Sequence, residues 1–324
     1  KMKFSTLFAA TAIVGTLGFA SAAQAECGEV TITEMNWASS AVVTQVSKFL
    51  MEQGYGCEVT TVPSSTVPSI ASVAETRKPD IVTELWLNGA PAYKPLEEAG
   101  KIKTVGNVLS DGGVEGWWIP QSVADEHPEL TTLDGLLANP DLVGGRFHQC
   151  PDGWGCKNIN GNLAEALDLE GKGFEVFQHG SGETMATSIA AAFENDEPWL
   201  GYYWAPTSVL GKYPMALVDL GEHKPDIHAC NAKPECETPG VSSYPVAPVV
   251  TAVTTDFAER QPEIEELMSK VSFTNKQMGE VLAWQDANSA SPEEAAVYFL
   301  TTYKDVWPNW INDDAKEKLG ALLQ

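Results

Sequence analysis

The feature that most constrains the fold of this 324-residue chain is a regular alternation of short apolar strands and amphipathic helices. The segments "EVTITEMNW" and "DIVTELW" have the pattern of strands, and "SSAVVTQVSKFLMEQGYG" has that of a helix ending at glycine. A β-α-β-α-β order predicts a mostly parallel sheet with helices on its faces. We therefore expect an α/β fold.

A second unit of the same kind begins at "GVEGWWIPQSVADEH". Its predicted strands are "LVGGRFHQC", "GFEVFQHGS" and "PWLGYYWAP", with helices near 160–168 and 182–195. The chain then returns through the strand "PVAPVVTAVTTDF" to a largely helical tail. A chain of this length can build two lobes, each with its own core. We predict lobe I over 26–113 and 246–324, and lobe II over 114–245.

The N-terminal segment has the layout of a secretory signal peptide. Lysines come first, an apolar run from Leu7 to Ala20 follows, and small residues lead to Ala25. This predicts export with cleavage after Ala25. The apolar run is too short for a membrane anchor. We expect a periplasmic protein that is not inserted in the membrane.

The charge balance limits the class of partner. The formal net charge is −24. Such an acidic chain repels nucleic acid and anionic lipid headgroups. No phosphate-cradling glycine loop or other cofactor motif is evident. We therefore expect no nucleic-acid partner and no cofactor, and we expect a monomer.

Six cysteines in an exported chain indicate three disulfides. Six allow fifteen connectivities, and the sequence does not choose among them. Closeness in sequence nevertheless favours Cys27 with Cys57, Cys150 with Cys156, and Cys230 with Cys236.

Tryptophans cluster at the ends of predicted strands, where open α/β sheets bind ligands. This group comprises Trp37, Trp86, Trp117, Trp154 and Trp204. Facing tryptophans form an electron-rich box that suits a quaternary ammonium group. The other tryptophans away from the strand ends are expected to be packing residues: Trp199, Trp284, Trp307 and Trp310.

The short loop "CPDGWGC" combines both ends of a zwitterion site. A disulfide between Cys150 and Cys156 would hold Trp154 rigidly. The amides of Gly155 and Cys156 would be free to donate to an anion. One loop would thus supply a ring for a cation and donors for an anionic end.

At these residues the chain resembles the substrate-binding proteins of ABC importers for glycine betaine, proline betaine and choline. "CPDGWGC" stands where that family has a similar disulfide-closed loop, and "YYWAPTSV" and "ELWLNGAPAY" resemble its box segments. The resemblance covers the whole mature chain in order. It implies a two-lobe periplasmic binding protein of type II, with the ligand in the cleft between the lobes. It also implies a permease partner and no enzymatic activity.

The resemblance also implies roles for individual residues. Trp86, Trp154 and Trp204 match the box around the ammonium group, and Gly155 and Cys156 match the amide donors to a carboxylate. In the choline-binding relatives, a box tryptophan lies at the position of Trp37 and a box tyrosine at that of Trp117.

Two positions depart from the family pattern. The histidine that helps to hold the carboxylate is replaced by Ala90, and an acid, Glu115, lies two residues before Trp117. Several tryptophans with one acid resemble the trimethylamine N-oxide-binding branch. We expect a small methylated amine as ligand, trimethylamine N-oxide or glycine betaine. Choline, carnitine and dimethylsulfoniopropionate are the alternatives.

Two other classes of protein deserve comparison. A secreted enzyme is disfavoured because the five histidines are scattered and neither G-x-S-x-G nor H-E-x-x-H occurs. His148 adjoins the cystine loop but has no evident partner that would orient it as a base. A carbohydrate-binding module would use tryptophans too, but it would more often be an all-β sandwich.

A polar loop around Cys230 and Cys236 is a further candidate site. We expect a surface loop held by a disulfide there, with a structural metal ion as the alternative. The candidate ligands are Glu222, His223, Asp226, His228 and Glu235.

Overall fold

A computed structural model describes residues 27–322 of the chain. The predicted signal peptide, residues 1–25, lies outside the described residues. Among the helices of the described part, none is long and apolar enough to cross a membrane.

Nine strands form the framework. They are β1 (Gly28–Met35), β2 (Cys57–Ser64), β3 (Ile81–Trp86), β4 (Ile102–Pro120), β5 (Arg146–Gln149), β6 (Glu175–Gln178), β7 (Gly201–Ala205), β8 (Met215–Leu217) and β9 (Ala247–Thr254).

Helices cover the strands. They are α1 (Ala38–Tyr55), α2 (Thr66–Thr76), α3 (Tyr93–Glu98), α4 (Gln121–Glu126), α5 (Leu133–Ala138), α6 (Gly155–Leu167), α7 (Gly182–Asn195), α8 (Ser208–Lys212), α9 (Pro225–Asn231), α10 (Thr255–Arg260), α11 (Pro262–Lys270), α12 (Asn275–Asn288), α13 (Pro292–Thr302) and α14 (Asp313–Lys318). Short 3-10 turns span Leu87–Gly89, Pro128–Thr131, Pro140–Val143, Trp307–Asn309 and Gly320–Leu322.

The strands are arranged in the order β2-β1-β3-β9-β4-β7-β5-β6, with β8 paired to β4. The strands β2, β1, β3 and β9 form what we term the first half-sheet. The strands β7, β5, β6 and β8 form the second half-sheet, and β4 belongs to both. Pairing is parallel among β1, β2 and β3 and among β5, β6 and β7. It is antiparallel wherever β4 or β9 takes part, a detail that the alternation of elements does not predict.

Strand β4 connects the two half-sheets. It pairs with β9 from Ile102 to Gly113 and with β7 from Val114 to Trp118. The change of partner falls at the position where the sequence predicts a boundary between lobes. The lobe boundaries themselves stay a prediction.

The core is built from strands that are apolar on both sides. All six residues of β3, "IVTELW", are buried between β1 and β9. Helix α1 covers this part of the sheet with an apolar face that includes Val42, Val46 and Leu50, all fully buried. Burial on both faces explains why β3 shows a nearly continuous apolar run and no alternation.

The three disulfides join the cysteines that are closest in sequence. Cys27–Cys57 links the starts of β1 and β2, which are paired at the register Gly28 to Cys57. Cys150–Cys156 closes the loop before α6, and Cys230–Cys236 closes the loop after α9.

A buried acid, Asp80, fastens β3 to its surroundings. Its Oδ2 accepts hydrogen bonds from the amide and hydroxyl of Thr31 in β1, at 2.9 and 2.8 Å. Its Oδ1 accepts from Lys78 and from Arg260 of α10, each at 2.8 Å. The carboxylate is only 4% exposed, while both cations reach solvent. Asp80 is therefore a structural charge with matched partners.

We expect Asp80→Ala to destabilise the protein by about 2–3 kcal/mol, because it leaves the Thr31 donors and two cations without their acceptor. The measurement is urea unfolding of the variant and the parent. Glu265→Ala is the control: it removes the half-exposed ion pair with Lys103, which contributes under about 1 kcal/mol. Equal losses in the two variants would contradict a structural role for the Asp80 network.

Candidate functional site

A small cavity lies between the two half-sheets. Its volume is about 30 Å³. A cavity of this size suits a compact ligand. The residues that line it are Trp37, Thr66, Trp86, Gly89, Glu115, Trp154, Gly155, Cys156, Tyr202 and Trp204.

Four tryptophans, Trp37, Trp86, Trp154 and Trp204, form the aromatic walls, which we term the tryptophan box. Three of them lie at helix starts or strand ends: Trp37 precedes α1, Trp86 ends β3 and Trp154 precedes α6. Trp204 is the penultimate residue of β7. The sequence predicted these positions because strands in such sheets deliver their carboxyl ends to one crevice.

The rings of the box meet edge to face. Trp154 is 5.3 Å from Trp37 at 76° and 5.0 Å from Trp204 at 80°, between ring centroids. All four rings are between 5 and 7% exposed. Edge-to-face packing matches the positive edge of one ring to the negative face of another. Such a box provides electron-rich faces for a cation.

The indole N–H groups of three box rings are held by the protein. Trp154 donates to Asn36 Oδ1 at 2.8 Å. Trp37 and Trp86 both donate to Glu84 Oε1, at 2.6 and 3.4 Å. These bonds fix the orientation of the rings, so the box is organised before a ligand arrives.

An acid, Glu115, lies in the cavity wall on β4, the strand that pairs with β7. Its backbone is in register with Trp204, and its side chain is 6% exposed. Oε1 accepts from the hydroxyl of Tyr202 at 2.7 Å, and Oε2 accepts from the amide of Asn88 at 2.9 Å. Burial raises the pKa of Glu115, against the opposing effect of these two donors. The protonated form is therefore more accessible than for an ordinary glutamate.

The loop that the Cys150–Cys156 disulfide closes makes backbone contacts with the first half-sheet. Its Gly153 carbonyl accepts from the amide of Val67 in α2 at 3.0 Å. An added Cβ on Gly155 would lie 2.1 Å from the carbonyl oxygen of Gly89. The loop thus carries Trp154 across to the first half-sheet, with its backbone in direct contact with the 3-10 turn after β3.

The start of α6 also faces the cavity through Gly155 and Cys156. Its N-cap residue is Trp154, which makes no side-chain capping bond. The first amides of a helix have no acceptor within the helix itself. Gly155 and Cys156 thus lie at the cavity and at the helix start, and their role as donors to an anionic group stays a prediction.

Trp86 also packs on the strand that joins the half-sheets. A Cβ added to Gly113 would lie 2.0 Å from Cζ3 of the Trp86 ring. Only glycine leaves room for the ring at this point. Trp86 therefore contacts β4 next to the place where that strand changes partner.

One predicted box residue lies elsewhere. Trp117 does not line the cavity: it is fully buried, donates to Asn160 Oδ1 at 2.8 Å, and packs on Phe147 with ring centroids 4.4 Å apart. The structure thus gives Trp117 a packing place instead of the place in the box that the resemblance implies. Tyr202 lines the cavity in addition to the four tryptophans.

Four lining or supporting residues were not predicted from the sequence: Thr66, Gly89, Tyr202 and Glu84. A signal exists for two of them, since Tyr202 and Glu84 each lie two residues before a box tryptophan on the same strand. Side chains two apart on a strand share a face. Pairing each strand-end tryptophan with its i−2 neighbour would have found both.

The other sequence candidates lie apart from the cavity. His148 contacts His179 at 2.7 Å and stacks on Trp199. In the polar loop, the rings of His223 and His228 are 5.4 Å apart, and His223 Nδ1 bonds the Ser243 carbonyl at 2.9 Å. In residues 27–322, no group of three or more His, Cys, Asp or Glu side chains is arranged to hold a metal ion. This applies to the candidate metal ligands Glu222, His223, Asp226 and His228.

An α/β molecule with a continuous strand shared by two half-sheets, and a small aromatic cavity between them, belongs to the class of ligand-binding proteins. Residues 28–302 match the OpuAC family, described as the substrate-binding domain of ABC-type glycine betaine transport systems. The chain belongs to this family. It is the extracytoplasmic substrate-binding protein of an ABC importer for quaternary amines, and it is not an enzyme.

Individual relatives are distant. The chain is 22% identical over 310 residues to the trimethylamine N-oxide-binding protein of Pelagibacter ubique (strain HTCC1062), covering 91% of this chain and 94% of the relative. The glycine betaine and L-proline-binding protein ProX of Borrelia burgdorferi has a TM-score of 0.72 at 16% identity, with coverage of 91% of this chain and 100% of ProX. A choline-binding protein in complex with choline has a TM-score of 0.71 at 19% identity, with coverage of 92% and 99%. These likenesses confirm the predicted fold.

We expect Gly89→Ala to weaken ligand binding by about fivefold to 150-fold, because its Cβ would lie 2.7 Å from the Gly155 Cα and overpacking costs about 1–3 kcal/mol. Isothermal titration calorimetry measures the change. Gly279→Ala is the matched control, since a Cβ there meets nothing within 4 Å. A Gly89→Ala variant that binds as tightly as this control would show that the glycine contact does not hold the cavity together.

Proposed function

We propose that this protein captures trimethylamine N-oxide and delivers it to the permease of its ABC importer. The observation that carries the proposal is Glu115: a buried acid with a raised pKa, in the wall of a cavity that four tryptophans also line. The cavity is small and combines this acid with aromatic faces. That combination fits a compact molecule with a methylated ammonium group and a single oxygen.

The tryptophan box accounts for the methylated end. A quaternary nitrogen carries its charge on methyl groups that cannot donate strong hydrogen bonds. Indole faces attract such a cation by about 0.5–2 kcal/mol each, depending on desolvation. The rings respond to charge and methyl groups, so they alone do not distinguish one methylated amine or sulfonium from another.

Glu115 accounts for the oxygen. A protonated carboxyl group donates one hydrogen bond, and the oxygen of an N-oxide carries the negative charge that accepts it. Charge-assisted hydrogen bonds of this kind are about twice as strong as neutral ones. A ligand carboxylate would accept the same bond from protonated Glu115, but it would face a second negative charge once Glu115 ionises, and Ala90 offers no cationic side chain to compensate.

Glycine betaine is the second candidate, and a specific observation favours it. The amides of Gly155 and Cys156 at the start of α6 line the same cavity. Helix N-termini bind carboxylates through free amides and the helix dipole. Choline, carnitine and dimethylsulfoniopropionate share the methylated cationic head and differ in their polar ends.

The proposal includes the cellular setting. The predicted signal peptide would export the chain to the periplasm, and the disulfides suit that oxidising compartment. There the closed, ligand-bound monomer would dock on the permease. Closure around the ligand would be a hinge motion of the two halves.

The first test is calorimetry of the mature protein with trimethylamine N-oxide, glycine betaine and choline across pH. The proton on Glu115 is needed for its bond to the N-oxide. Affinity for trimethylamine N-oxide is therefore complete below the raised pKa of Glu115 and falls as the pH rises through it. In Glu115→Gln this fall should vanish, since the amide donates at every pH.

The control variant is Glu58→Gln, which removes an exposed acid on β2 and should leave the profile unchanged. Choline gives the opposite sign, because its hydroxyl donates to the ionised carboxylate. An affinity for glycine betaine that exceeds the affinity for trimethylamine N-oxide at every pH would overturn the choice of ligand and assign the amides of α6 the leading role.

A second test addresses the box. We expect Trp154→Ala and Trp204→Ala to weaken binding by about tenfold to a hundredfold each, through loss of ring faces and of their mutual packing. Trp284→Ala serves as the control, because that ring stacks on Tyr298 outside the cavity. Parent-like affinity in both box variants would rule out the aromatic site.

A further inference from the structure

A second acid, Glu84, lies directly behind the tryptophan box. It is fully buried, and its Oε1 accepts hydrogen bonds from Trp37 Nε1 and from the Ser39 hydroxyl, both at 2.6 Å. The same oxygen is 3.4 Å from Trp86 Nε1. Two of the four box rings are therefore held by one carboxylate.

Strand β3 has a bulge at this acid. Thr83 and Glu84 together face one residue of β9, because Val82 pairs with Ala252 and Leu85 with Val250. Glu84 has a φ of 49°. Non-glycine residues are uncommon in that region and often lie at functional sites when they occupy it. Bulges of this kind occur next to functional sites, where they redirect a side chain.

Glu84 lacks the cationic partners that Asp80 has. Asp80, four residues earlier, is bonded to Lys78 and Arg260. The groups that face Glu84 are neutral: Trp37 and Ser39 from α1 and its start, and Trp86 from its own strand. Its second oxygen, Oε2, is buried without a hydrogen-bond partner among the described residues.

Burial raises the pKa of Glu84 to about 7, and the three donors oppose the rise. The bulge also meets neutral groups of the neighbouring strands: the amide of Thr83 donates to Thr33 Oγ1 of β1 at 3.0 Å, and the hydroxyls of Thr83 and Thr251 of β9 are 2.8 Å apart. The other buried acid near the box is Glu115, which lines the cavity itself. Glu84 therefore gains or loses its charge close to neutral pH. Among the described residues, no cationic side chain contributes to this pKa.

We propose that Glu84 is a positioning and charge-tuning residue of the box: ionised, it orients Trp37 and Trp86 through their N–H groups and provides the buried counter-charge for the methylated cation. A negative acceptor on an indole N–H makes the ring a better host for a cation. The ligand's positive charge is then the partner that the carboxylate lacks. This inference rests on the proposed function, since it requires a cationic head in the box.

Linkage gives the sign of the effect. A cation that favours ionised Glu84 lowers its pKa on binding, so binding releases a fraction of a proton near pH 7. Affinity for the cation should rise as the pH rises through about 7. Glu115 contributes to the profile as well, so it must be neutralised before Glu84 is observed alone.

The experiment uses Glu115→Gln as the parent background and tetramethylammonium as the probe, because that ion is positively charged at every pH and has no oxygen. Calorimetry in buffers of different ionisation enthalpy measures the released protons. We expect binding about tenfold tighter at about pH 8.5 than at about pH 5.5, on the scale of a charge acting across a partly screened interior. Adding Glu84→Gln should flatten the profile and abolish proton release, while the indole acceptor is retained.

The outcomes separate the inference from the function on which it rests. If trimethylamine N-oxide and glycine betaine fail to bind the unmodified protein, both are overturned. If they bind, but tetramethylammonium binding to Glu115→Gln releases no proton and is flat with pH, only the role of Glu84 is lost. The same holds if tetramethylammonium fails to bind. The measurement on Glu115→Gln decides the role of Glu84 by itself. The test therefore stays valid even if the variant that also carries Glu84→Gln fails to fold.

Discussion

The contact between Gly89 and Gly155 sets the distance between the two half-sheets, and the walls of the cavity depend on it. One backbone belongs to the turn after β3 and the other to the first turn of α6. Their approach places Trp86 and Trp154 around the same space. The disulfide between Cys150 and Cys156 closes the loop that makes this contact. A small ligand can be enclosed because no side chain separates the two backbones.

Three buried acids show how context decides what a carboxylate does. Asp80 has two cations and two Thr31 donors, and it joins elements of the first half-sheet. Glu115 has two neutral donors and faces the cavity, which suits a proton that can be shared with a ligand oxygen. Glu84 has indole and hydroxyl donors but no protein cation. Only the last two leave an interaction for a ligand to complete.

The fold and much of the site follow from sequence pattern, while the supporting contacts do not. Alternation of elements predicts the α/β fold, and strand-end positions predict Trp37, Trp86, Trp154 and Trp204. The length of β4 was missed because its polar first part, "IKTVGNVLSDGG", lacks the apolar pattern of a buried strand. Trp117 was misplaced because its neighbour Glu115 and the resemblance both point to the cavity, whereas Asn160 and Phe147 hold the ring in the core. The spacing of two residues to Trp86 points to Glu84, but nothing in "TELW" shows the bulge that places this acid behind the box.

Trp86 makes two kinds of contact, one with the cavity and one with the backbone of β4. Its ring lines the cavity and also rests on Gly113, beside the point where β4 passes from one half-sheet to the other. The wall of the cavity is therefore in direct contact with the strand that the two half-sheets share. A substitution of Trp86 would change the shape of the cavity and the packing of β4 at the same time.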